Sequence, residues 1–512
     1  MMTAKHSTEL PSGWRLTVLS EIAVINPTID KSSIPDTLEV SFVPMPAVQA
    51  GTGGIDVSQT RLFGAVRKGY TPFQEGDVLF AKITPCMENG KMAVVPQLKG
   101  GLGFGSTEFH VLRPHQGIDK NYLYYYVSSE SFRREAQHNM SGAVGQRRVT
   151  TPYLTACKLP LPPEHEQRRI VAKIEELLSE LDNGIEGLKT AQDQLKVYRQ
   201  ALLKHAFDGK LTAQWRADNP DKLETADALL KRIQLERAQR YQQRLTDWEA
   251  SDKQGGKPRT PKALPRLTAE ELGKLPDLPT GWSWVRLGDV ATIIAGHAFE
   301  KSEYSDSGVR LFQIANVSFG EVSWDKEVLL PNEYWETFEE LRLFPDDIVM
   351  ALNRPLIGDD LKICKLRTTD SPSILYQRVG KFVPHEPNIR NLIYWYLRSP
   401  IFISSLKAEL RGVNIPFINQ SRLMEYAIPL FSFSELSYLV DELERVFSEA
   451  IHLDQIITTA LQQAEALRQS ILKKAFSGQL VPQDPNDEPA SALLAHIRAE
   501  KFADSQDKKA RK

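Results

Sequence analysis

QALLKHAFDGKL, residues Gln200–Leu211, returns later in the chain as QSILKKAFSGQL, residues Gln469–Leu480. LPSGW at Leu10–Trp14 likewise returns as LPTGW at Leu278–Trp282. The period is about half of the 512-residue chain, which is too long for a solenoid repeat. The sequence therefore predicts two copies of one arrangement, in which a mixed domain is followed by a long helix.

Two segments, 164–212 and 434–480, carry apolar residues at alternating steps of four and three. This period is typical of a coiled-coil seam. Because the second series equals the first plus 269, as Leu439 against Ile170, we expect the two helices to pair within the chain and to run antiparallel. The alternative is that each helix dimerises with another protein. The predicted seam residues are Ile170, Ile174, Leu177, Leu181, Leu188, Leu195, Leu202, Leu439, Leu443, Val446, Leu453, Ile457, Leu467 and Ile471.

The remaining segments have distinct compositions. Residues 1–163 (the first head) and 278–433 (the second head) have the short strand-like runs and amphipathic segments of α/β domains. Residues 213–277 form a connector, in which we expect a charged helix at 225–249 and a mobile, basic, Pro/Gly-rich linker at 253–266. The predicted fold class is α/β plus coiled coil: two α/β domains joined by two long antiparallel helices, with a pseudo-two-fold internal repeat. Residues 481–512 are expected to be a C-terminal tail, frayed from Asp504 onward.

Composition indicates a soluble globular protein, with 41% hydrophobic and 25% charged residues. Residues 1–20 lack the apolar run of a secretory signal, and no stretch has the roughly 18 apolar residues of a membrane span. We therefore expect a cytoplasmic protein. Cys86, Cys157 and Cys364 lack zinc-site spacing and are interpreted as reduced packing residues.

The motifs of common catalytic sites are missing from the sequence. There is neither a GxxxxGK[ST] loop for ATP nor an HExxH metal motif. Gly101–Ser106 is glycine-rich but lacks the context of a dinucleotide-binding loop, and Asn353–Leu356 matches an amino-methyltransferase loop poorly. We therefore expect a non-catalytic binding or adaptor protein that holds no cofactor and no metal.

The net charge of −2 excludes DNA binding through bulk charge alone. The first head has 16 Lys+Arg and 13 Asp+Glu (+3), and the second has 16 and 19 (−3), so any nucleic-acid contact must come from local loops. Arg can bind guanine, and Gln or Asn adenine, through paired hydrogen bonds. Candidate DNA-binding residues in loops at equivalent places of the heads, and in the loop at 67–69, are Arg67, Lys68, Lys82, Lys91, Gln146, Arg147, Arg148, Asn353, Arg354, Arg411, Asn414, Asn419 and Gln420.

The order of head, helix, connector, head and helix resembles the specificity subunits of type I restriction-modification systems. The resemblance rests on the two Leu-Pro-x-Gly-Trp head starts, on Leu161-Pro-Pro-x-x-Glu-Gln167, and on Ala206-Phe-x-Gly-x-Leu211-Thr-Ala-Gln-Trp-Arg216. The entry into the second helix, Pro429–Glu435, departs from this pattern because it lacks Pro-Pro and Glu-Gln.

The resemblance implies that each head is a target-recognition domain for half of a split double-stranded DNA sequence, with the helices as a spacer. It also implies two methyltransferase subunits, which use S-adenosylmethionine, and motor-endonuclease subunits, which use ATP and Mg²⁺. Because the two heads differ in sequence, we expect an asymmetric target. Two alternatives stay open: a coiled-coil scaffold whose heads bind proteins, and a free-standing DNA-binding regulator, which the near-neutral charge disfavours.

Overall fold

A computed structural model of the chain describes residues 10–143, 145–251, 256–258, 260–261, 263–358, 360–410 and 416–510. The chain divides into two units. Unit 1 comprises Met1–Thr190 with Ile457–Lys512, and unit 2 comprises Ala191–Ile456. Each unit therefore contains one head together with a part of each long helix.

The first head is built from three sheets, ordered β1-β10, β2-β9-β6-β7 and β4-β3-β8-β5. Every pairing is antiparallel except β3 with β8. Its strands are β1 (Arg15–Val18), β2 (Ala23–Ile25), β3 (Glu39–Val43), β4 (Thr60–Leu62), β5 (Thr71–Phe73), β6 (Val78–Ala81), β7 (Met92–Val94), β8 (Gly103–Gly105), β9 (Phe109–Pro114) and β10 (Lys158–Leu161). Its helices are α1 (Leu19–Ile22), α2 (Phe63–Val66), α3 (Lys120–Ser128), α4 (Glu130–His138) and α5 (Thr151–Ala156).

Along the sequence, one of the long helices and the connector follow the first head. The helices there are α6 (Glu164–Phe207), α7 (Ala213–Asp218), α8 (Ala226–Ala250) and α9 (Ala269–Leu272). The charged helix predicted at 225–249 corresponds to α8, whose amino end is capped by the Thr225 hydroxyl accepting from Ala228 N.

The second head repeats the topology of the first, with sheets β11-β23, β12-β22-β17-β20-β14, β15-β13-β21-β16 and a β18-β19 hairpin. The parallel β13–β21 pair corresponds to β3–β8. The strands are β11 (Ser283–Arg286), β12 (Ala291–Ala295), β13 (Val309–Phe312), β14 (Phe319–Gly320), β15 (Leu329–Leu330), β16 (Arg342–Leu343), β17 (Ile348–Ala351), β18 (Leu356–Ile357), β19 (Asp360–Leu361), β20 (Ile363–Lys365), β21 (Ser373–Leu375), β22 (Val379–Pro384) and β23 (Ala427–Leu430). The helices are α10 (Leu287–Val290), α11 (Glu333–Thr337), α12 (Ile389–Leu397), α13 (Pro400–Leu410) and α14 (Gln420–Met424), followed by α15 (Phe433–Phe476) and α16 (Ala490–Ala510).

The central strand β6 is apolar at every position because both of its faces are covered. Val78 and Phe80 face the cluster that contains the helices of the head, whereas Leu79 and Ala81 face the second sheet. Successive side chains point to opposite faces of a strand, so a strand covered on both faces has no polar position. β17 shows the same alternation in the second head. The two-domain α/β and long-helix fold class is thereby confirmed.

The aromatic-rich segments 120–138 and 390–410 each form two successive helices. In the first head, Ser129 takes an extended conformation between α3 and α4, and its hydroxyl accepts from Phe132 N. Such a hydroxyl caps a new helix instead of continuing the old one. Ser399 lies between α12 and α13 in the second head.

In unit 1 the beginning of α6 packs antiparallel on the end of α15. Ile170 and Ile174 are buried with Ile471, and Asp182 forms an ion pair with Arg468 further along the pair. Leu177 and Leu181 are partly buried against the same cluster, and Leu188 and Ile457 are of intermediate burial.

In unit 2 the end of α6 packs antiparallel on the beginning of α15. Leu202, Leu439, Leu443 and Val446 are buried in one cluster, and Leu195 is half-buried. Gln192 Nε2 donates to Asp454 Oδ1 at 3.0 Å, and Arg199 Nη2 donates to Ala450 O at 2.7 Å. These contacts show that the two helices run antiparallel. The residue numbers of the partners decrease along α15 as the residue numbers increase along α6.

Two seam residues lie elsewhere than expected. Leu453 and Leu467 are 50% and 51% exposed, whereas their neighbours Asp454 and Arg468 contact α6. Ile471, further along α15, is buried again. The 3.5-residue period therefore fails locally, at the positions where Asp454 and Arg468 contact α6.

Each long helix ends earlier than predicted, at Phe207 and Phe476 instead of 212 and 480. Gly209 and Gly478 follow with φ of +70° and +71°. Lys210 N donates to His205 O at 2.9 Å and Gly209 N to Ala206 O at 3.2 Å, which is the hydrogen-bond pattern of a Schellman helix terminus. The repeated Phe-x-Gly-x-Leu motif is therefore a helix stop.

The residues that end the two long helices contact the first residues of the heads. A Cβ on Gly209 would lie 2.2 Å from Pro279 Cγ, and one on Gly478 would lie 2.3 Å from Pro11 Cγ. The end of α6 thus packs against the start of the second head in unit 2, and the end of α15 packs against the start of the first head in unit 1. We call these contacts the second joint and the first joint.

The segment expected to be a tail is largely helical. Residues Ala490, Leu493, Leu494 and Ile497 of α16 are buried in the core of the first head, and Lys501 Nζ donates to Ser20 O and Glu21 O. The helix extends to Ala510, so the prediction of fraying from residue 504 was wrong for the backbone of 504–510. Apolar positions at helical spacing, four of them buried, account for the difference.

The end of the predicted linker, at Pro265 and Arg266, lies on the second head. Arg286, 7% exposed, donates to Pro265 O at 3.1 Å and pairs with Glu271 through two nitrogens at 2.8 and 2.9 Å. The Arg286 guanidinium lowers the pKa of Glu271 to about 2. Residues 264–271 are thus held by hydrogen bonds, contrary to the expected mobility of the linker's end; residues 252–255, 259 and 262 lie outside the described residues.

Within the described ranges, none of the helices is both long and apolar enough to cross a membrane. All three cysteines are free thiols, and Cys157 and Cys364 are buried. Burial raises the pKa of the Cys157 thiol to about 11.

Candidate nucleic-acid interface

In the first head, two of the predicted loops are joined side by side. The loop that follows β6 meets the glycine-containing loop that precedes α5: Val149 N donates to Lys82 O at 2.9 Å and Thr84 N donates to Arg147 O at 3.0 Å. The backbone of Lys82 is held on its other side, where Lys82 N donates to Glu108 O at 2.9 Å. Lys82, Gln146, Arg147 and Arg148 are therefore brought to one edge of the head.

The second head joins its corresponding loops by the same hydrogen bonds. Ile418 N donates to Leu352 O at 2.9 Å, Arg354 N to Pro416 O at 2.7 Å and Leu352 N to Arg378 O at 2.8 Å. This pattern makes Leu352 equivalent to Lys82. The two heads thus present one backbone frame with different side chains.

An ion pair locks the first-head frame. Arg148 Nε and Nη2 each donate to a carboxylate oxygen of Glu108 at 2.9 Å, and Arg148 Nη1 donates to Gln146 O at 3.0 Å. The hydrogen bond with Arg148 lowers the pKa of Glu108 and raises that of Arg148. Arg148 is therefore already paired.

A buried histidine supports the base of the same loop. His110 Nε2 donates to Val149 O at 2.8 Å, and its Nδ1 accepts from Asn26 Nδ2 at 3.0 Å. Burial lowers the pKa of His110. Both contacts suit the neutral ring with its proton on Nε2.

Lys82, Gln146 and Arg147 differ from Arg148, because the structure gives their side chains no hydrogen bond or ion pair within the described residues. Gln146 is exposed, whereas Lys82 and Arg147 are of intermediate exposure. At this edge of the head, these three side chains are therefore free to bind a ligand.

The other first-head candidates lie apart from this edge or are in use. Arg67 and Lys68 follow α2 on the sheet that contains β4, and Arg67 pairs with Asp36 at 3.0 Å. Lys68 is exposed. Lys91 Nζ donates to Met45 O at 3.2 Å.

In the second head, Asn353 and Arg354 lie on the joined loops, opposite Phe417 and Pro416. Asn419 Oδ1 accepts from Ser421 N at 2.8 Å and so caps α14. Gln420 is of intermediate exposure. Arg411 and Asn414 lie outside the described residues.

Three residues of this frame were missed in the sequence: Glu108, Arg378 and Phe417. Glu108 and Arg378 each stand 14 residues before the repeated aromatic segment that begins at Tyr122 and Leu392. An alignment of the two copies through that segment would have paired them.

The described residues contain no group of three or more His, Cys, Asp or Glu side chains arranged to hold a metal ion.

Comparisons with known proteins agree with this architecture. The sequence model of the family described as type I restriction modification DNA specificity domain matches residues 11–195 and 279–463. The type I restriction enzyme EcoAI specificity subunit of Escherichia coli is 33% identical over 498 residues, covering 89% of this chain and 81% of its own length. The MjaVIII specificity subunit of Methanocaldococcus jannaschii is 26% identical over 377 residues, covering 73% of each chain.

Solved structures show the same fold. A chain from a structural study of complex assembly and conformational transition of the type I R-M system matches with a TM-score of 0.66 and 21% identity, over 92% of this chain and 99% of its own length. The HsdS subunit from Thermoanaerobacter tengcongensis matches with a TM-score of 0.50 and 20% identity, over 93% and 100%. The two matched segments, each a head with the beginning of a long helix, cover most of the sequence. This chain belongs to the family of DNA-specificity subunits of type I restriction-modification enzymes.

Proposed function

We propose that the chain reads a bipartite, asymmetric double-stranded DNA target, one half with each head, and directs partner subunits to it. In this proposal the chain is not catalytic. Two methyltransferase subunits bind S-adenosylmethionine and methylate adenine, and motor-endonuclease subunits use ATP and Mg²⁺ to cut DNA that lacks the modification.

The observation that carries the proposal is the shared loop frame with different side chains. Lys82 and Arg147 in the first head stand where the second head has Leu352 and Pro416. A frame held by backbone hydrogen bonds can keep its geometry while its side chains change. Two such frames with unlike side chains favour two unlike half-sites.

The direct test is to express this chain with its candidate methyltransferase partner in a host without DNA methylation and to map methyladenine across the genome. The expected result is one split motif with a fixed gap and unlike halves, absent when this chain is omitted. An assembled complex that methylates nothing, or a motif with identical halves, would contradict the proposal. The first of these outcomes would favour the scaffold alternative.

A matched deletion tests the spacer role of the helices. Residues 184–190 of α6 and 457–463 of α15 lie at the same level of the antiparallel pair, as Asp182 with Arg468 indicates. Removing both sets shortens the pair by about 10 Å at 1.5 Å per residue, or about three base pairs of DNA. We expect a shorter gap and unchanged half-sites; an altered half-site would contradict a pure spacer role.

A further inference from the structure

We propose that Arg378 and Phe417 are specificity-determining residues of the second head, and that Arg378 reads a guanine. This inference rests on the proposed function and deepens it, because it assigns base-reading side chains to one half-site. Arg378 lies outside the candidate loops recognised from the sequence, and Phe417 lies within the loop at 411–420 but was not among its candidate residues.

The positions of both residues follow from the shared backbone frame. Lys82 N donates to Glu108 O in the first head, and Leu352 N donates to Arg378 O in the second. Ile83 bridges to Arg148 in the first head, and Asn353 bridges to Phe417 in the second. Arg378 therefore occupies the place of Glu108, and Phe417 the place of Arg148.

In the first head these two places are filled by an ion pair that is closed on itself. Both carboxylate oxygens of Glu108 accept from Arg148. Two hydrogen bonds in this fork geometry leave the guanidinium edge facing Glu108 unavailable to a base. Glu108 and Arg148 thus act as positioning residues that hold the loop.

In the second head the same places are open. Arg378 is exposed, and the structure gives its guanidinium no hydrogen bond, ion pair or ring contact within the described part of the chain. A guanidinium with its donors free can form the two parallel hydrogen bonds that distinguish guanine in the major groove.

The backbone supports a functional role for this arginine. Arg378 has φ +66° and Arg354 has φ +47°, a region that side chains other than Gly, Asn and Asp rarely adopt. Residues held there at an energetic cost cluster at binding sites. Arg354 follows Leu352 by two residues, and the Leu352 N–H donates to Arg378 O. The two arginines therefore lie on neighbouring segments of the frame.

Phe417 adds an exposed apolar surface to the same loop frame. Its side chain is 52% exposed, although its neighbour Ile418 is buried in the core of the head. An apolar side chain at a base edge contacts the methyl group of thymine, which is the apolar feature of the major groove. The pair is therefore suited to a guanine and a neighbouring thymine.

The test uses the assembled complex with its methyltransferase partner and a panel of duplexes in which each base pair of the mapped second half-site is replaced in turn. For Arg378→Ala we expect methylation of the intact target to fall about 10- to 100-fold. Discrimination at one guanine position should be lost, with the first half-site unchanged. For Phe417→Ala we expect lost discrimination at a thymine, which Phe417→Leu restores.

Two further variants separate base reading from other roles. Arg378→Lys keeps the charge but not the fork of donors, so it should recover part of the methylation lost in Arg378→Ala without full guanine discrimination. If Arg378→Ala lowers methylation equally on every duplex of the panel and Arg378→Lys recovers it, Arg378 is a phosphate contact and the proposal is wrong. Arg244→Ala removes an exposed arginine of α8 and should change neither half-site. Thermal unfolding of each variant checks that the fold is intact.

The outcomes also separate this inference from the proposed function. A wild-type complex without a split methylation motif overturns the proposed function and this assignment together. A wild-type split motif whose second half is read equally well by Arg378→Ala and Phe417→Ala overturns this assignment alone.

Discussion

The two joints perform the same structural task with different chemistry. In the second joint, Glu435 is buried and accepts from Thr212 Oγ1 at 2.6 Å, Arg216 Nη1 at 2.5 Å and Trp282 Nε1 at 3.0 Å. In the first joint its counterpart Glu166 is equally buried, but it accepts from Gln483 Nε2 at 3.2 Å.

The periphery of the joints differs in a similar way. Trp215 and Tyr438 stack in the second joint, with ring centres 5.6 Å apart. In the first joint Arg169 is the counterpart of Tyr438, and it forms an ion pair with Asp487 at 2.5 Å instead of a ring contact. The glycine and proline contacts are common to both joints, so the backbone geometry is the shared element and the polar interior is replaceable.

The largest difference between the joints should appear when their central carboxylates are removed. Glu435→Ala leaves Thr212, Trp282 and the charge of Arg216 without their buried acceptor. We expect the free energy of unfolding of unit 2 to fall by about 3–5 kcal/mol. Urea unfolding followed by tryptophan fluorescence measures it.

Glu166→Ala is the matched variant. This variant leaves the neutral amide of Gln483 without its acceptor. We therefore expect the free energy of unfolding of unit 1 to fall by about 1 kcal/mol. Equal losses for the two variants would mean that the hydrogen-bond network of Glu435 does not distinguish the joints.

The shared glycines should respond alike in both joints. Gly209→Ala and Gly478→Ala each place a Cβ within 2.5 Å of a proline ring and a side chain at positive φ. We expect each to destabilise its unit by about 1–3 kcal/mol, measured by the same unfolding method.

A glycine on the exposed surface of α6 provides the control. A Cβ on Gly184 meets open space, so Gly184→Ala should stabilise the helix by about 1 kcal/mol. A destabilising Gly184→Ala would show that this glycine has a packing role that the structure lacks.

The Glu108–Arg148 ion pair should matter more for reading DNA than for stability. Both side chains are partly exposed, at 26% and 39%, so solvent screens the pair and its coupling in a double-mutant cycle should be small. Glu108→Ala and Arg148→Ala should weaken methylation through the first half-site equally, and the double variant no further.

The salt dependence of DNA binding separates a positioning role from a contact. Arg147→Ala should reduce the slope of log affinity against log salt by about one, whereas Arg148→Ala should leave it unchanged. A reduced slope for Arg148→Ala would make Arg148 a phosphate contact.

The smallest effect concerns pH. Burial raises the pKa of Glu166 above its usual 4.5, so its contribution to stability is full below pH 4.5 and is lost as pH rises through the folded-state pKa. Glu166→Gln should therefore be more stable than the wild type at pH 7 and equal to it at lower pH, as measured by urea unfolding at several pH values.

Glu21 offers a control of opposite sign. Its hydrogen bond from Thr17, and then that from Arg498, lower its pKa. Its contribution to stability is therefore present above pH 4.5 and lost as pH falls through the folded-state pKa. Glu21→Gln should be less stable than the wild type at pH 7, and a shared sign for the two variants would contradict these assignments.

Much of the fold was accessible from the sequence because repeated motifs report backbone geometry. The Phe-x-Gly-x-Leu stop requires a glycine at positive φ, and the two matching 3.5-residue series predicted that the long helices pair within the chain. The period failed at Leu453 and Leu467, where hydrogen bonds of Asp454 and Arg468 compete with apolar burial. The apolar period of a single sequence does not show whether hydrogen bonding or apolar burial decides which residue faces the partner helix.

The candidate interface was predicted less well, for a different reason. Loop composition pointed to Arg147 and Arg148 alike, but only the position of Glu108, 40 residues away, separates the free arginine from the paired one. Arg378 was overlooked because its significance lies in its backbone contact with Leu352. Partners distant in sequence decide which charged side chains stay available.

The core of the first head has a consequence for synthesis of the chain. Unit 2 is one continuous stretch, Ala191–Ile456, and can complete its fold soon after it emerges from the ribosome. The first head, although made earlier, keeps the apolar site for Leu493, Leu494 and Ile497 uncovered until almost the whole chain has been translated. At typical elongation rates of about 5–20 residues per second, this apolar surface stays exposed to solvent for tens of seconds. During that time it is accessible to a chaperone that binds nascent chains.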